Sequence, residues 1–267
     1  LWYHTRMILL LLVVLGLCLG SFVNALVWRL HAHKDWVKGR SECTHCHHVL
    51  GPLDLVPVLS WVSLRGRCRY CHKKIDDNPL VELVLPVLFA LSYQFWPLSL
   101  HRTGLLLFIF WLIFLVGFLA LAVYDLRWFL LPNKIVFPLM WLAVVQVITA
   151  AIYDMHWQLL IGAVGGSVTV GGIFYLLFLF SNGKWIGGGD VKLGIVLGIL
   201  AGGVLNGFLL LFVASITGML ASLPMVLQGK ATRKTQMPFG PFLIVGLIVV
   251  QLFGASILSW YSGLLYG

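Results

Sequence analysis

Acidic side chains are scarce in this chain. It has nine Asp and Glu in 267 residues, and charged residues of both signs make up only 10%. So little charge does not fit a soluble globular domain. No short alternating strands are visible, which excludes a transmembrane barrel. There is no fixed-period repeat and no low-complexity linker. No Ala-x-Ala-like site follows the first apolar run, Met7–Trp28, so that run is expected to stay as a span rather than be cut off as a signal peptide. What fills the chain instead is apolar: 60% hydrophobic residues and a mean hydropathy of +0.98.

Uncharged apolar stretches run over Met7–Trp28, Leu83–Leu100, Thr103–Tyr124, Ile135–Tyr153, Trp157–Asn182, Leu193–Gly229 and from Met237 to the last residue. Each can supply the roughly 20 helical residues that cross ~30 Å of hydrocarbon. Leu193–Gly229 is too long for one crossing, and Gly202-Gly203 with Asn206-Gly207 near its middle predict a tight hairpin there. The expectation is an all-α polytopic membrane protein of about eight transmembrane helices. It divides into a first helix (1–30), a soluble loop domain (31–79) and a membrane core (80–267).

Orientation follows from the basic residues. Nine Lys and Arg lie in the Arg29–Pro79 loop, and seven more (Arg127, Lys134, Lys184, Lys192, Lys230, Arg233, Lys234) fall in turns on the same side of an eight-span chain. Only Arg6 and Arg102 of the 18 fall opposite. That asymmetry predicts a cytoplasmic loop and accounts for the net charge of +9 without nucleic acid.

The loop carries Cys43-x2-Cys46 and, after 21 residues, Cys68-x2-Cys71. Paired knuckles of this kind put four thiolates round one tetrahedral site, suited to zinc or to rubredoxin-like iron. Four cysteines leave no ligand position open, so the expected role is structural. About fifty residues bury little core, and a metal supplies the missing folding energy. His45, His47, His48 and His72 flank the knuckles and read as surface residues. Cys18, inside the first span, reads as a small buried side chain.

Of the acids, Asp35, Glu42, Asp54, Asp76 and Asp77 belong to the loop and are mostly expected in solvent. Glu82 opens the second span, and Asp154 falls in an exposed turn on the opposite face. Asp125 and Asp190 remain, both at the cytoplasmic ends of spans and at one membrane depth. Acids at such depths are costly and are functional candidates. Two carboxylates a few ångströms apart cannot both ionise, so one keeps a proton. The ionised member can then take a proton from water while the other donates to a carbonyl oxygen or leaving amine. Read from spacing alone, ion pairing with Arg127 or Lys192 remains open, as does a cation site in a channel or transporter, or a redox relay through the cysteines.

Gly187-Gly188-Gly189-Asp190-Val191-Lys192-Leu193 resembles the Gly-x-Gly-Asp motif of the type IV prepilin peptidases, membrane aspartyl proteases that also act as N-methyltransferases. The resemblance covers nearly the whole chain. It takes in Gly20-Ser21-Phe22-Val23-Asn24 through Arg29-Leu30, and Leu55–Trp61 with Leu64–Cys71 in the cysteine loop. Pro79-Leu80-Val81-Glu82 and Pro238-Phe239-Gly240-Pro241 complete it.

That resemblance implies catalytic Asp125 and Asp190 and a metal held by Cys43, Cys46, Cys68 and Cys71. It implies cleavage, after Gly, of the basic leader from prepilins or pseudopilins at the inner face of a bacterial inner membrane. It also implies methylation of the new N-terminus, often Phe, by S-adenosylmethionine. Glycines 187 to 189 and the Pro238–Pro241 turn are expected to shape a cleft for an extended substrate strand. The short stretch after Asp190 suggests that this acid is recessed below the membrane surface. Asn133 stands where many members have Asp, and reads as a helix N-cap. No Gly-x-Gly-x-x-Gly nucleotide fingerprint is present, so the S-adenosylmethionine site is not legible from residue types.

Overall fold

The computed structural model describes residues 2–35, 39–75, 78–229 and 237–266. Among the described residues it contains helices, turns and two isolated β-bridges. Lys38, Asp76, Asp77, Lys230, Arg233 and Lys234 from the charge reading above lie outside the described residues.

Every apolar run is a helix. In chain order these are α1 (Trp2–His31), α3 (Leu80–Phe95), α4 (Thr103–Trp128), α5 (Asn133–Tyr153), α6 (Gln158–Ser181), α7 (Gly188–Ala201), α8 (Val204–Leu227) and α9 (Gly240–Tyr266), with the five-residue α2 (Leu59–Ser63) in the loop. Six of them, α1, α4, α5, α6, α8 and α9, are long and apolar enough to cross a membrane. α3 has 16 residues and α7 has 14. At 1.5 Å per residue these two reach roughly 24 and 21 Å, short of a ~30 Å hydrocarbon layer. Large apolar side chains such as Ile161, Phe180 and Phe212 stand exposed along the helices, which in a soluble protein would be a liability and in lipid is not. The chain is a multi-pass membrane protein.

The boundaries of α3 differ from the apolar run. The helix starts at Leu80, right after Pro79, and ends at Phe95 rather than Leu100. Pro97 explains the early stop, because a proline disfavours helical backbone at the residue before it. Cys18 is exposed on α1 instead of buried. Its thiol therefore faces outward among the apolar side chains of that helix.

The described chain falls into two compact units, Leu1–Gln94 with Phe118–Val123, and Phe95–Gly117 with Tyr124–Gly267. In the first, α1 lies backbone-close against α3. A Cβ on Gly16 would stand 2.5 Å from the Pro86 Cα, and one on Gly20 would stand 2.7 Å from the Glu82 Cα. Only a residue without a side chain allows that approach.

In the second unit, α7 is the hub and packs on α5, α6, α8 and α9. Leu193, Val196 and Leu197 on it are completely buried. Its tightest neighbour is α6. A Cβ on Gly166 would lie 2.2 Å from the Gly198 carbonyl oxygen, and one on Gly198 would lie 2.4 Å from the Gly166 oxygen. Gly194, Gly198 and Gly202 recur every four residues along α7, and Gly162 and Gly166 face them from α6. This is the small-residue spacing by which helices in lipid bring their backbones together. α7 ends at the expected hairpin. Gly202 takes the left-handed conformation (φ 71°), and the Asn206 side-chain amide donates to the Ala201 carbonyl at 2.8 Å.

Gly166→Ala and Gly198→Ala are each expected to destabilise the folded protein by about 1–3 kcal/mol, the usual cost of overpacking. Gly263→Ala, where an added Cβ meets nothing within 4 Å, should leave stability unchanged. Unfolding midpoints in one detergent check all three.

Candidate active site and metal centre

Asp125 lies in the last turn of α4. That helix ends where Phe129 adopts a left-handed conformation (φ 55°) and its N–H donates to the Asp125 carbonyl at 2.8 Å. The turn leaves the Asp125 side chain only 5% exposed among apolar neighbours. Its Oδ2 accepts a hydrogen bond from the Gly240 N–H, at the first residue of α9, at 3.1 Å. A Cβ on Gly240 would stand 2.7 Å from the same oxygen, so any side chain there would push the carboxylate aside.

Asp190 lies in the first turn of α7, half-buried, with its N–H on the Gly187 carbonyl at 3.1 Å. Gly187 is extended and serves as the N-cap of α7. The neighbouring Gly189 faces Leu131, whose Cβ would be 3.1 Å from an added Cβ. An added Cβ on Gly240 would likewise lie 3.6 Å from Leu131 Cδ2. Leu131 thus touches both the glycine beside Asp190 and the glycine bonded to Asp125.

The other turn residues gather at this end of the unit. Phe239 anchors the segment before α9 in the bundle, with its ring 5.9 Å from Phe174 and 6.3 Å from Phe242. Pro238 and Pro241 are half-buried on either side of Phe239 and Gly240. Gly187 is exposed and Gly188 half-buried, and an added Cβ on Gly187 would lie 3.5 Å from Asp190 Oδ2.

Lys192 turns away from Asp190. Its Nζ donates to Asn133 Oδ1 at 2.9 Å and stands 5.5 Å from the centre of the Phe137 ring. Arg127 lies 5.9 Å from the Trp128 ring centre. Asn133 is not a cap: Pro132 is the N-cap residue of α5, Asn133 is the first helical residue, and its side chain is held by Lys192. The proline takes the cap position because its fixed φ suits the extended backbone that precedes a helix. Neither this pair nor the Gly240 donor is visible in the sequence, since each joins residues at least 59 positions apart.

The four loop cysteines converge, with all their Sγ atoms within 4.8 Å of one another. Cys43 Sγ and Cys71 Sγ are 3.8 Å apart, about the edge of a tetrahedron built on ~2.3 Å zinc–sulfur bonds and far beyond a disulfide. Both knuckles fold alike. The His47 N–H donates to the Cys43 carbonyl at 3.0 Å and the His72 N–H to the Cys68 carbonyl at 2.9 Å. His47 and His72 are both left-handed (φ 57° and 59°), and each knuckle is closed by a bridge, Glu42 to Val49 and Arg67 to Lys74.

Burial raises the Cys43 thiol. The Cys46 and His45 N–H groups and the neighbouring thiols outweigh that and bring it down to about 6. Thiolates of this kind are what a metal needs, and the tetracysteine cluster can hold a metal ion such as zinc. The flanking histidines are exposed at the surface, as expected, and His48 stacks on Tyr70 with ring centroids 3.6 Å apart.

Asp54 departs from expectation. Its side chain is 4% exposed and takes the Arg69 Nε at 2.6 Å, the Gly51 N–H at 3.2 Å and the Tyr70 hydroxyl at 3.3 Å. The Arg69 bond, foremost, holds its carboxyl below the usual carboxylate range. The ion pair ties the Pro52–Leu55 turn to the second knuckle. Glu82, in the first turn of α3, accepts the Val58 N–H at 2.6 Å and fixes the α2 end of the loop to that helix.

Two family models match the chain: the bacterial peptidase A24 N-terminal domain over residues 14–96, and the type IV leader peptidase family over residues 112–223. Curated relatives named prepilin leader peptidase/N-methyltransferase align over nearly the full length. The one from Bacillus subtilis (strain 168) is 32% identical, covering 96% of this chain and 99% of its own. That from Dickeya chrysanthemi is 32% identical, covering 94% and 96%. That from Pseudomonas aeruginosa is 29% identical, covering 97% and 94%. No solved structure matches.

Replacing Cys43 and Cys46 together by Ser is expected to take zinc from about one ion per chain to none and to raise amide exchange across residues 41–75. Elemental analysis and hydrogen exchange of the detergent-solubilised protein check it. Full metal retention in the double variant would rule out the tetrathiolate site.

Proposed function

The chain belongs to the type IV leader peptidase family, and from that membership we propose that it is an aspartyl endopeptidase acting through Asp125 and Asp190, and an N-methyltransferase as well. Its substrates in this reading are prepilins or pseudopilins, cut after Gly between the basic leader and the apolar helix. The observation that carries the reading is that Leu131 packs against both Gly189, next to Asp190 at the start of α7, and Gly240, whose N–H holds Asp125 at the end of α4.

The chemistry follows from that pairing. The two carboxylates share one proton, and the pair titrates as a unit. The ionised member takes a proton from the attacking water, and the protonated one donates to the carbonyl oxygen and then to the leaving amine. The Gly240 N–H holds Asp125 in one orientation, which keeps the pair in reacting geometry at no further entropic cost. Gly187, Gly188 and Gly189 with Pro238, Phe239, Gly240 and Pro241 form the cleft in which the substrate lies extended.

A basic leader joined to an apolar helix presents its scissile bond at the cytoplasmic surface of the inner membrane. The basic loops and turns suit that side. All eight apolar helices lie in the bilayer, and the ~21 Å length of α7 recesses Asp190 from the surface. The cysteine metal is structural zinc, and S-adenosylmethionine supplies the methyl group.

Incubating the purified protein in detergent with a prepilin tests the peptidase. Asp125→Asn and Asp190→Asn are each expected to lower cleavage by about a thousandfold or more, and either one cutting at the wild-type rate would sink the mechanism. Gly240→Ala should lower kcat on the order of tenfold to a hundredfold, since a displacement near 1 Å is enough for that. Its unfolding midpoint should stay close to wild type.

A further inference from the structure

The first unit contains a cleft that the peptidase reaction does not use. It lies between the last turns of α1, the cysteine loop and the first turn of α3, has a cavity of about 150 Å³ and opens to solvent. Its lining includes Asn24, Trp28, Glu42, Asp54, Trp61 and Glu82.

Charge singles the cleft out. Three of the nine acids in the chain line it, against one base, Arg29, in a protein whose net charge is +9. Glu42 is paired with Lys34 and Asp54 with Arg69, so Glu82, which accepts the Val58 N–H, carries the charge that the cleft offers a ligand. Two indoles, Trp28 and Trp61, also line it, and indole faces attract both cations and flat heteroaromatic rings.

Unsatisfied polar atoms lie here too. Asn24 is 4% exposed, its amide nitrogen donates to the Asn78 carbonyl at a long 3.5 Å, and its Oδ1 has no hydrogen-bond partner. The indole Nε1 of Trp61 is also buried without a partner. A buried acceptor left unpaired costs about 1–3 kcal/mol, so one facing a cleft signals a ligand that donates to it. The missing partner therefore presents N–H donors, positive charge and a flat ring.

S-adenosylmethionine has all three: an adenine with an exocyclic amine, a sulfonium and an ammonium. Its carboxylate matches Arg29, the one base in the lining. We propose that this cleft is the S-adenosylmethionine site, with the adenine amine or the ammonium donating to Asn24 Oδ1, Glu82 facing the cationic half, and an indole stacked on the ring. The inference rests on the methyltransferase reading above and adds the location and the residues to it. The tetracysteine centre sits beside the cleft, since Glu42 and Thr44 in the lining flank Cys43. The metal knuckles thereby hold one wall in place.

The experiment uses the full-length protein in detergent and binds methyl-labelled S-adenosylmethionine by equilibrium dialysis, with S-adenosylhomocysteine as the uncharged-sulfur competitor. Asn24→Ala and Glu82→Gln are each expected to weaken S-adenosylmethionine binding about tenfold. Glu82→Gln should weaken S-adenosylhomocysteine much less, a split that a merely structural loss would not produce. Leader cleavage and zinc content in both variants should match wild type. Direct photocrosslinking of the labelled cofactor to the wild-type chain, which needs no variant to fold, should mark peptides from residues 20–31 or 54–63. Wild-type affinity in both variants, or crosslinks confined to other segments, overturns the cleft while leaving the methyltransferase reading intact. A wild-type chain that neither binds the cofactor nor methylates a cleaved pilin overturns both.

Discussion

Backbone contact between α6 and α7 is the constraint on which the second unit depends. A helix of 14 residues has little side-chain surface with which to hold itself among longer neighbours. α7 compensates by bringing its main chain against that of α6, Gly198 to Gly166 and Gly194 to Gly171. The contact leaves no room for a methyl group at either central glycine. Dispersion and close packing, not a hydrophobic gain over lipid, drive such association. With α7 fixed along its length, its first turn is fixed too, and Asp190 with it.

Asp125 is positioned by different means. The left-handed turn at Phe129 ends α4 directly beyond the acid, and the first N–H of α9 supplies its hydrogen bond. One acid closes a long helix while the other opens a short one, and the small residues 187 to 189 and 240 allow their segments to meet at Leu131. In the first unit a cluster of cysteines able to hold a metal takes the place of packing. The loop between α1 and α3 has few buried side chains, Cys43 and Cys68 among them. Four clustered cysteine sulfurs, the Asp54–Arg69 pair and the Glu82 bond to Val58 stand in for a core.

Much of this was legible in the chain because lipid forces long uncharged runs, and such runs announce helices. Gly202-Gly203 marked the α7–α8 hairpin because one of the two must turn left-handed. The cysteine spacing named its own cluster. The two acids stood out because few others lie beside apolar runs, and the motif round Asp190 tied them to a family. What stayed hidden depends on residues distant in sequence. The Lys192–Asn133 pair replaced the expected cap, and Asp54 turned out buried because Arg69 folds back over it. Cys18 is exposed where a buried side chain is expected, since a run apolar on every side carries no periodic signal to orient it. The four-residue glycine spacing of α6 and α7 is written in the sequence and is the local signal for their close contact. The cleft round Asn24 is assembled from three separate stretches, and no single one of them carries a cofactor motif.

The twin knuckles have a consequence for how the chain is made. Each contributes half of a closed coordination sphere, and both are folded by the same pair of turns. A growing polypeptide can offer only two sulfurs until Cys68 and Cys71 have left the ribosome. By then α1 has long since emerged and had time to enter the bilayer. A metal held by all four sulfurs is therefore captured late in the making of this segment, after α1 has been synthesised.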